Sequence, residues 1–235
     1  MSFTDFIDRI KDYHSRHGLK ATFQRAGLAG RRALFANRMV VYYCDLTELT
    51  KAPAKKPSTL KFERVTTSGE LDRQRRIEIA TQWNPRKAEQ NIEERFARKA
   101  SLWLVSSGDR LAGFGWTIRG KTIAPYYFPI GPDDIQLFDF YIFPKFRGRA
   151  LHGVLTSHIL RELAAEGAVR AFADTAEWNQ AQLSSFKMTP FRQIGLAQVL
   201  RIPGCRIVSW VESEHRDGIE KKTASRKPIK LGASS

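Results

Sequence analysis

The stretch FPKFRGRALHGVL, residues 143–155, joins an apolar strand to an amphipathic helix through a basic turn. The preceding residues, IQLFDFYIF (135–143), are almost continuously apolar, which predicts a central strand. Apolar side chains at helical spacing predict a helix over 150–165, and Gly167 is typical of a helix end. The sequence therefore predicts a central strand, a basic turn and a helix in direct succession.

The turn brings Arg147, Gly148 and Arg149 to the start of the predicted helix. Free backbone N–H groups and the positive end of the helix dipole point to this place, so we expect it to bind a phosphate group. Gly148 and Gly153 have the spacing of a nucleoside triphosphate loop, but residues 154–155 are Val-Leu instead of Lys-Ser/Thr. The sequence therefore disfavours a kinase or ATPase, and it also lacks the dinucleotide-binding glycine pattern.

The remaining pattern is a mixture of strands and helices. Strands are predicted over 38–46, 60–66, the two halves of a hairpin within 101–120, 169–175, 198–202 and 206–212. Helices are predicted over 3–16, 19–36, 68–82, 85–99 and 178–188. A stretch rich in Pro, Gly and aromatic residues, 122–134, predicts a loop whose aromatic side chains either serve a site or pack on the core.

The basic turn resembles the acyl-CoA pyrophosphate loop of the GNAT (GCN5-related N-acetyltransferase) superfamily, V-x-P-x-x-R-G-x-G-x-G, which aligns with Ile142 to His152. The resemblance implies that the Ile142 backbone meets the thioester and that the following backbone amides bind the pyrophosphate. Two positions where the family often has Gly are Ala150 and His152 here, which adds bulk beside the expected ligand. The cofactor-binding residues implied by this match are Ile142, Phe143, Arg147, Gly148, Arg149, Ala150, Leu151, His152 and Gly153.

A second match lies after the next predicted strand, where the superfamily often has N-x(6)-Y-x(4)-F. Asn179, Phe186 and Phe191 occupy these three places, which implies that Asn179 and Phe186 also contact the cofactor. The resemblance implies an α/β (α+β) fold with a mixed, mostly antiparallel central sheet that is flanked by helices. It also implies that the sheet splays between 135–143 and 169–175 to admit coenzyme A.

The resemblance covers roughly residues 60–212, which suggests three parts. Residues 1–58 are expected to form a basic helical extension with a linker, 59–212 a GNAT-like acyltransferase domain, and 213–235 a polar basic tail. Many proteins of this fold form dimers, so a homodimer is one expectation.

The implied reaction is direct transfer of an acetyl group from acetyl-CoA to a primary amine, for which no metal site is predicted. Asp139 is the sole carboxylate within the apolar strand, where desolvation would raise its pKa and make it a base; an equally open alternative is that it accepts a hydrogen bond from a loop. Asp174 and Glu177 are weaker alternatives. Tyr141 is the candidate acid, because the family's Tyr position is Phe186.

Loss of that Tyr leaves a second class of function open, a regulatory module that binds acyl-CoA without transfer. The acceptor is also open. An amino sugar or a phosphorylated small molecule would suit the positive charge and the aromatic loop with Trp103 or Trp116, whereas aminoacyl-tRNA and protein amines remain alternatives.

The composition of the chain indicates its partners and its location. The 235-residue chain has a formal charge of +15, of which +6 lies in residues 1–58 and +3 in residues 213–235. The basic extension either packs on the domain or meets an anionic partner, namely a membrane surface or nucleic acid. Cys44 and Cys205 are expected to be buried thiols, and no apolar run reaches the ~20 residues of a membrane span. We therefore expect a cytoplasmic protein, with peripheral contact at the inner membrane face as an option.

Overall fold

The computed structural model describes residues 37–49, 59–83, 87–124, 126–202 and 205–213. The predicted helices over 3–16 and 19–36, the linker beyond Leu49 and the tail beyond Ser213 lie outside these ranges. Two compact units are present. Among the described residues, 39–196 and 212–213 belong to the first, and 37–38, 197–202 and 205–211 to the second.

The described residues form eight strands and four helices. The strands are Met39–Asp45 (β1), Leu60–Val65 (β2), Ser101–Ser107 (β3), Arg110–Arg119 (β4), Asp134–Ile142 (β5), Arg170–Ala176 (β6), Arg192–Ile202 (β7) and Cys205–Glu212 (β8). The helices are Arg73–Trp83 (α1), Ala88–Ala97 (α2), Leu151–Ala165 (α3) and Gln180–Phe186 (α4). The predicted elements in these ranges are confirmed to within a few residues, except that β7 begins at Arg192 and not near 198.

The strand order of the sheet is β2-β3-β4-β5-β6-β1-β7-β8. The pairs β2–β3, β3–β4, β4–β5 and β1–β6 are antiparallel, and β5–β6 is parallel. A parallel pair needs a crossover connection, which α3 provides between β5 and β6. The predicted α/β fold with a mixed, mostly antiparallel sheet flanked by helices is confirmed.

Strand β1 was predicted as a strand, but as part of the N-terminal extension. It pairs along its whole length with β6, from Met39 opposite Ala176 to Asp45 opposite Arg170. Val41, Cys44 and Leu46 at this end of the chain are buried in the core. The strand therefore belongs to the sheet, and the division of the chain at residue 58 does not separate it from the rest.

Helices cover both faces of the sheet. On the first face, which we call the α2 face, Phe96 of α2 meets Trp116 edge to face at 5.0 Å, and Trp83 of α1 meets Phe114 at 5.6 Å. On the opposite face, the α3 face, the ring of His158 in α3 stacks on Phe62 at 4.2 Å. Strand residues therefore alternate between the two cores.

Two further expectations concern burial. Cys44 is a free thiol whose side chain is buried, and burial raises its pKa to about 12, so it behaves as a small apolar residue. The Cys205 side chain lies outside the described ones. None of the helices in the described ranges is both long enough and apolar enough to cross a bilayer.

Candidate functional site

The sheet opens between its two parallel strands. Pairing of β5 with β6 runs from Asp134 opposite Arg170 to Leu137 opposite Ala173. Beyond that pair, β5 continues to Ile142 and β6 to Ala176 without pairing to each other. The predicted splay is therefore present, and the free backbone groups of both strands face into it, as they would to receive an extended ligand.

A β-bulge in β5 accompanies the opening. On the β4 side, Phe114 pairs with Tyr141 but Trp116 pairs with Phe138, so Asp139 and Phe140 together face Gly115. Asp139 has a φ of +50°, which bends the strand at this point. Gly115 makes room for the bulge, because a Cβ atom there would lie 2.5 Å from the Phe140 ring.

The basic turn at the end of β5 has the backbone shape of an anion site. Gly148 and Ala150 both have positive φ, +76° and +55°, and α3 starts directly afterwards. The first backbone bond into the helix runs from the Val154 N–H to the Ala150 carbonyl, at 3.1 Å. The amides of residues 151–153 therefore have no acceptor within the helix and lie at its positive end. Ala150 takes the left-handed conformation that glycine adopts more easily.

The two arginines of the turn flank this cluster of amides and are exposed. Arg147 donates from Nε to the Ile142 carbonyl at 3.1 Å, and its guanidinium lies 5.4 Å from the centre of the Tyr141 ring. Arg149 lies 5.8 Å from the centre of the Phe146 ring. The charge of both side chains adds to that of the helix end, which favours an anion.

Three of the residues implied as cofactor contacts also contribute to the packing of the protein. Phe143 and Leu151 are buried in the core, so only their backbone is available to a ligand. At Gly153, a Cβ atom would lie 3.0 Å from the Met188 carbonyl oxygen, so glycine is needed there for helix packing. A role of these three residues in cofactor binding stays a prediction.

His152 and Phe186 belong to an aromatic cluster on the α3 face of the opening. His152 lies 5.3 Å from Phe140 and 5.7 Å from Phe186, and Phe186 stacks nearly parallel on Tyr42 at 4.0 Å. Burial lowers the pKa of His152 to about 4, so the imidazole is neutral at pH 7. Its Nδ1 is buried and has no hydrogen-bond partner among the described residues. The His152 ring therefore packs as an apolar group, and its Nδ1 is a polar atom without a partner among the described residues. A position at a helix start would instead suggest a surface residue.

Asn179 caps α4. Its side chain accepts from the Gln182 N–H and donates from Nδ2 to Gln182 Oε1 at 3.1 Å, and the Thr175 hydroxyl donates to the same oxygen at 2.9 Å. This network fixes the start of the helix that carries Phe186. The motif position of Asn179 is thus explained structurally, and its contact with the cofactor stays a prediction.

Asp139 is not in the environment that the sequence suggested. We expected a desolvated carboxylate within an apolar strand, whereas the bulge exposes Asp139 and places it against Arg95 of α2, which donates to its carboxylate. The Arg95 side chain is nearly buried and lies 4.6 Å from the centre of the Trp83 ring. Desolvation as the reason for a basic Asp139 is therefore wrong, and its alternative role as a hydrogen-bond acceptor is present, with a helix instead of a loop as the donor.

Tyr141 lies on the α2 face, where its ring packs at 6.0 Å from Phe114 and 5.9 Å from Phe143. Phe186 and its partners lie on the other face of the sheet. The two aromatic groups are therefore on opposite sides of β5, and the structure does not bring Tyr141 to the position of the missing family Tyr.

Asp174 is a half-buried carboxylate at the opening. It is the first β6 residue beyond the last pair with β5, and it accepts a hydrogen bond from the Tyr127 hydroxyl at 3.0 Å. Burial, and to a lesser extent the charge of Asp139, raise the pKa of Asp174 to about 6, against the effect of the Tyr127 hydrogen bond. The sequence analysis ranked this residue below Asp139, because its burial depends on a loop that is distant in sequence.

The loop between β4 and β5 supplies that cover. Tyr127 reaches Asp174, and Phe128 packs at 5.2 Å from Phe172 on the same strand. Trp103 and Trp116 are both buried, so neither indole offers a face on which an acceptor would stack. Tyr127 is therefore the loop residue that the structure associates with the opening.

The geometry agrees with the comparisons with known proteins. The sequence pattern of the acetyltransferase (GNAT) family matches residues 70–188, which is just over half of the chain. The chain belongs to the GNAT family. The match runs from the turn before α1 to the residue Met188 beside Gly153, so it includes the splayed strands, the basic turn and α4. No curated protein matches the chain.

Solved structures share this GNAT fold at low sequence identity. A Drosophila protein from structural genomics has a TM-score of 0.51 at 15% identity, covering 77% of this chain and 56% of that one. A GNAT-family acetyltransferase from Colwellia psychrerythraea has a TM-score of 0.48 at 16% identity, covering 76% and 57%. The present chain thus spans little more than half the length of either protein.

Proposed function

We propose that this protein is an N-acyltransferase that moves an acetyl group from acetyl-CoA to a primary amine by direct attack. The observation that carries the proposal is the opening between β5 and β6, with the basic turn of residues 147–153 at the end of β5. Family membership supports acyl transfer in general, and this arrangement supports a ligand that combines an extended arm with a diphosphate.

The residues of the turn fit such a ligand. The amides of residues 151–153 have no helical acceptor, and the positive φ values of Gly148 and Ala150 turn the preceding amides toward the same place. A diphosphate would be held by these amides with Arg147 and Arg149 on either side. The Ala150 side chain does not interfere with donors that belong to the backbone.

Acetyl-CoA would supply the acyl group as an activated thioester. The protein has to provide a neutral amine, a donor for the oxyanion and a proton for the leaving thiolate. We propose that a backbone N–H of β5 near Ile142 stabilises the oxyanion, since β5 lacks a β6 partner there. The source of the proton is a choice between two phenols on opposite faces of the sheet.

Tyr141 was the sequence candidate for the acid, but Tyr42 has a better position relative to Phe186. Tyr42 stacks directly on the ring that replaces the family Tyr, and burial raises the pKa of its phenol, so it keeps its proton at neutral pH. We expect Tyr42→Phe to lower kcat about tenfold or more, and Tyr141→Phe to have a smaller effect. Equal effects of the two substitutions would remove the preference for Tyr42.

A titration and an assay test the proposal together. Isothermal calorimetry should detect binding of CoA and acetyl-CoA, and Arg147→Glu should weaken it about tenfold or more through loss of a charge-assisted contact. Arg73→Glu is the matched control, because it makes the same charge change on the exposed surface of α1. A thiol-release assay with acetyl-CoA then screens putrescine, lysine methyl ester, glucosamine and glucosamine 6-phosphate. Absence of CoA binding in the unsubstituted protein would defeat the proposal.

A second candidate function is a regulatory module that binds acyl-CoA without transferring it. The observation that favours it is Phe186, which has no hydroxyl at the place where the family often has Tyr. This candidate predicts tight acetyl-CoA binding with no thiol release for any amine, whereas turnover of any amine in the assay would exclude it. The proposals of a basic extension that binds an anionic partner, of a homodimer and of a cytoplasmic location are separate from both.

A further inference from the structure

Two carboxylates lie on the two strands that border the opening. Asp139 is at the bulge of β5, and Asp174 follows the last paired residue of β6. Burial is the main cause of the raised pKa of Asp174, and the charge of Asp139 adds to it. Both belong to the α2 face, since Asp139 contacts α2 and Asp174 contacts the β4–β5 loop.

The described neighbours of Asp174 include a phenol and two apolar residues. The Tyr127 hydroxyl donates to it, Val41 is its neighbour in β1, and Phe172 precedes it on the same face of β6. Burial, and to a lesser extent the charge of Asp174, raise the pKa of Tyr126, whose hydroxyl is buried without a hydrogen-bond partner among the described residues. A buried hydroxyl without a protein partner is available to a ligand.

Two arginines of the described residues near this place contact other protein groups. Arg95 donates to Asp139 and packs on Trp83, and Arg147 donates to the Ile142 carbonyl. In the next strand, Tyr43 lies opposite Phe172 and has the Arg192 guanidinium 4.9 Å from its ring centre. The carboxylates of Asp139 and Asp174 would repel a phosphorylated acceptor, despite the net charge of the chain.

We propose, on the basis of the function proposed above, that the α2 side of the opening binds a cationic aliphatic primary amine. Asp174 takes the proton from its ammonium group, and Tyr127 holds the Asp174 carboxylate in place. A phosphorylated amino sugar, which the charge of the whole chain suggested, is disfavoured.

The bonds and protons of this step balance. Asp174 accepts one proton from the ammonium, and the neutral amine attacks the thioester carbon, so that a C–N bond forms and the C–S bond breaks. The nitrogen then loses a second proton, and the thiolate gains one to leave as the thiol. One amide, one thiol and one released proton result from one ammonium and one thioester.

The test compares three acceptors at saturating acetyl-CoA: putrescine, lysine methyl ester and glucosamine 6-phosphate. We expect kcat/KM for the two cationic amines to exceed that for glucosamine 6-phosphate at least tenfold. Asp174→Asn should lower kcat/KM about 100-fold or more, as loss of a general base does, and should remove the fall in rate below about pH 6. Asp109→Asn is the control, because it removes a fully exposed carboxylate at the β3–β4 turn.

Tyr127→Phe separates a positioning role from a structural one. Loss of the hydroxyl removes a hydrogen bond that favours the ionised carboxylate, so the acidic limb of the pH profile should move to higher pH. A loss of rate with an unmoved limb would overturn the positioning role of Tyr127.

Failure of this inference can be told from failure of the proposed function. A preference for glucosamine 6-phosphate, or an Asp174→Asn variant that keeps the rate and the acidic limb, overturns the inference and leaves acetyl transfer intact. If no amine is acetylated, calorimetry of putrescine with the CoA-loaded protein decides. Binding that is lost in Asp174→Asn supports the cation site without catalysis, and absence of binding overturns it.

Discussion

The two faces of the sheet differ sharply where β5 and β6 part. The α3 face holds Phe140, His152 and Phe186 with Tyr42, and burial keeps His152 neutral at pH 7. At the same opening, the α2 face holds ionisable groups. Asp139 is paired to Arg95, and Asp174 accepts a hydrogen bond from Tyr127. One strand serves both faces because its residues alternate and its bulge resets the alternation.

This difference suggests a division of labour between the faces. An uncharged wall suits a thioester arm, whereas carboxylates and phenols suit an amine that must lose a proton. The half-buried groups His152 and Asp174 shift in directions that both disfavour charge, since burial lowers the pKa of the base and raises that of the acid. Their effects on stability therefore have opposite dependences on pH.

The largest expected effect is that substitutions on the two faces tilt the pH dependence of stability in opposite directions. His152 has a folded pKa of about 4, below its unfolded value of 6.5, so its contribution is lost as the pH falls from 6.5 toward 4. Asp174 has a folded pKa of about 6, above its unfolded value of 3.8, so its contribution is gained as the pH falls through 6. Each amounts to up to about 3 kcal/mol, and the two offset each other.

Urea unfolding of each variant from pH 4 to pH 7 measures these slopes. Relative to the unsubstituted protein, Asp174→Asn should lose stability more steeply toward acid, and His152→Phe should lose it less steeply. Parallel profiles for all three proteins would contradict the assignment of buried charge states to the two faces.

The second largest effect on stability concerns the β4 glycines that lie against β5 on the α3 face. A Cβ atom at Gly113 would lie 2.6 Å from Ile142 Cδ1 and 2.7 Å from the Tyr141 carbonyl oxygen, so Gly113→Ala has to displace β5. We expect a loss of about 1–3 kcal/mol in the free energy of unfolding, as for other overpacked sites. Gly69→Ala, where a Cβ meets nothing within 4 Å, is the control. Equal stability of the two variants would show that β5 adapts at this place.

A smaller effect is expected from the ion pair on the α2 face. Asp139→Asn removes the charge that Arg95 binds, and the partial exposure of the carboxylate limits the loss to about 1 kcal/mol. The same change should lower the pKa of Asp174, since one repulsive charge disappears. Carbon-13 NMR of the Asp carboxyl groups measures this pKa, and an unchanged value would show that the two carboxylates do not interact.

The smallest effect belongs to the turn that both faces share. Ala150 has a left-handed backbone, so Ala150→Gly should stabilise the protein by up to about 1 kcal/mol. Gly148→Ala makes the opposite change at another position of positive φ and should destabilise it by a similar amount. Thermal unfolding gives both shifts, and a destabilising Ala150→Gly would mean that the methyl group packs favourably.

Much of the architecture was predictable because it rests on local patterns. A window of about ten to fifteen residues is enough to recognise the apolar run of β5, the amphipathic α3 and the hairpin of β3 and β4. The strand at 38–46 was predictable too, but its place was not, because pairing with β6 joins residues far apart in the chain. Strand propensity is local, whereas strand order depends on which edges are free.

The candidate site shows the same limit in its chemistry. An alternating strand pattern placed Asp139 in an apolar interior, but a bulge that no local signal marks turned it to the surface and to Arg95. Asp174 gained its burial from the distant Tyr127 loop. The pKa of a carboxylate depends on its neighbours in space, so sequence spacing could not rank the two.

The sequence by itself determined the strand, the basic turn and the helix of residues 135–165, and with them the proposed anion site, because the donors there are backbone groups fixed by local conformation. Only the tertiary structure decided that β1 borders β6, that Asp139 pairs with Arg95 and that Asp174 is the half-buried acid. Burial and charge pairing arise when distant segments meet, and their energies depend on that meeting.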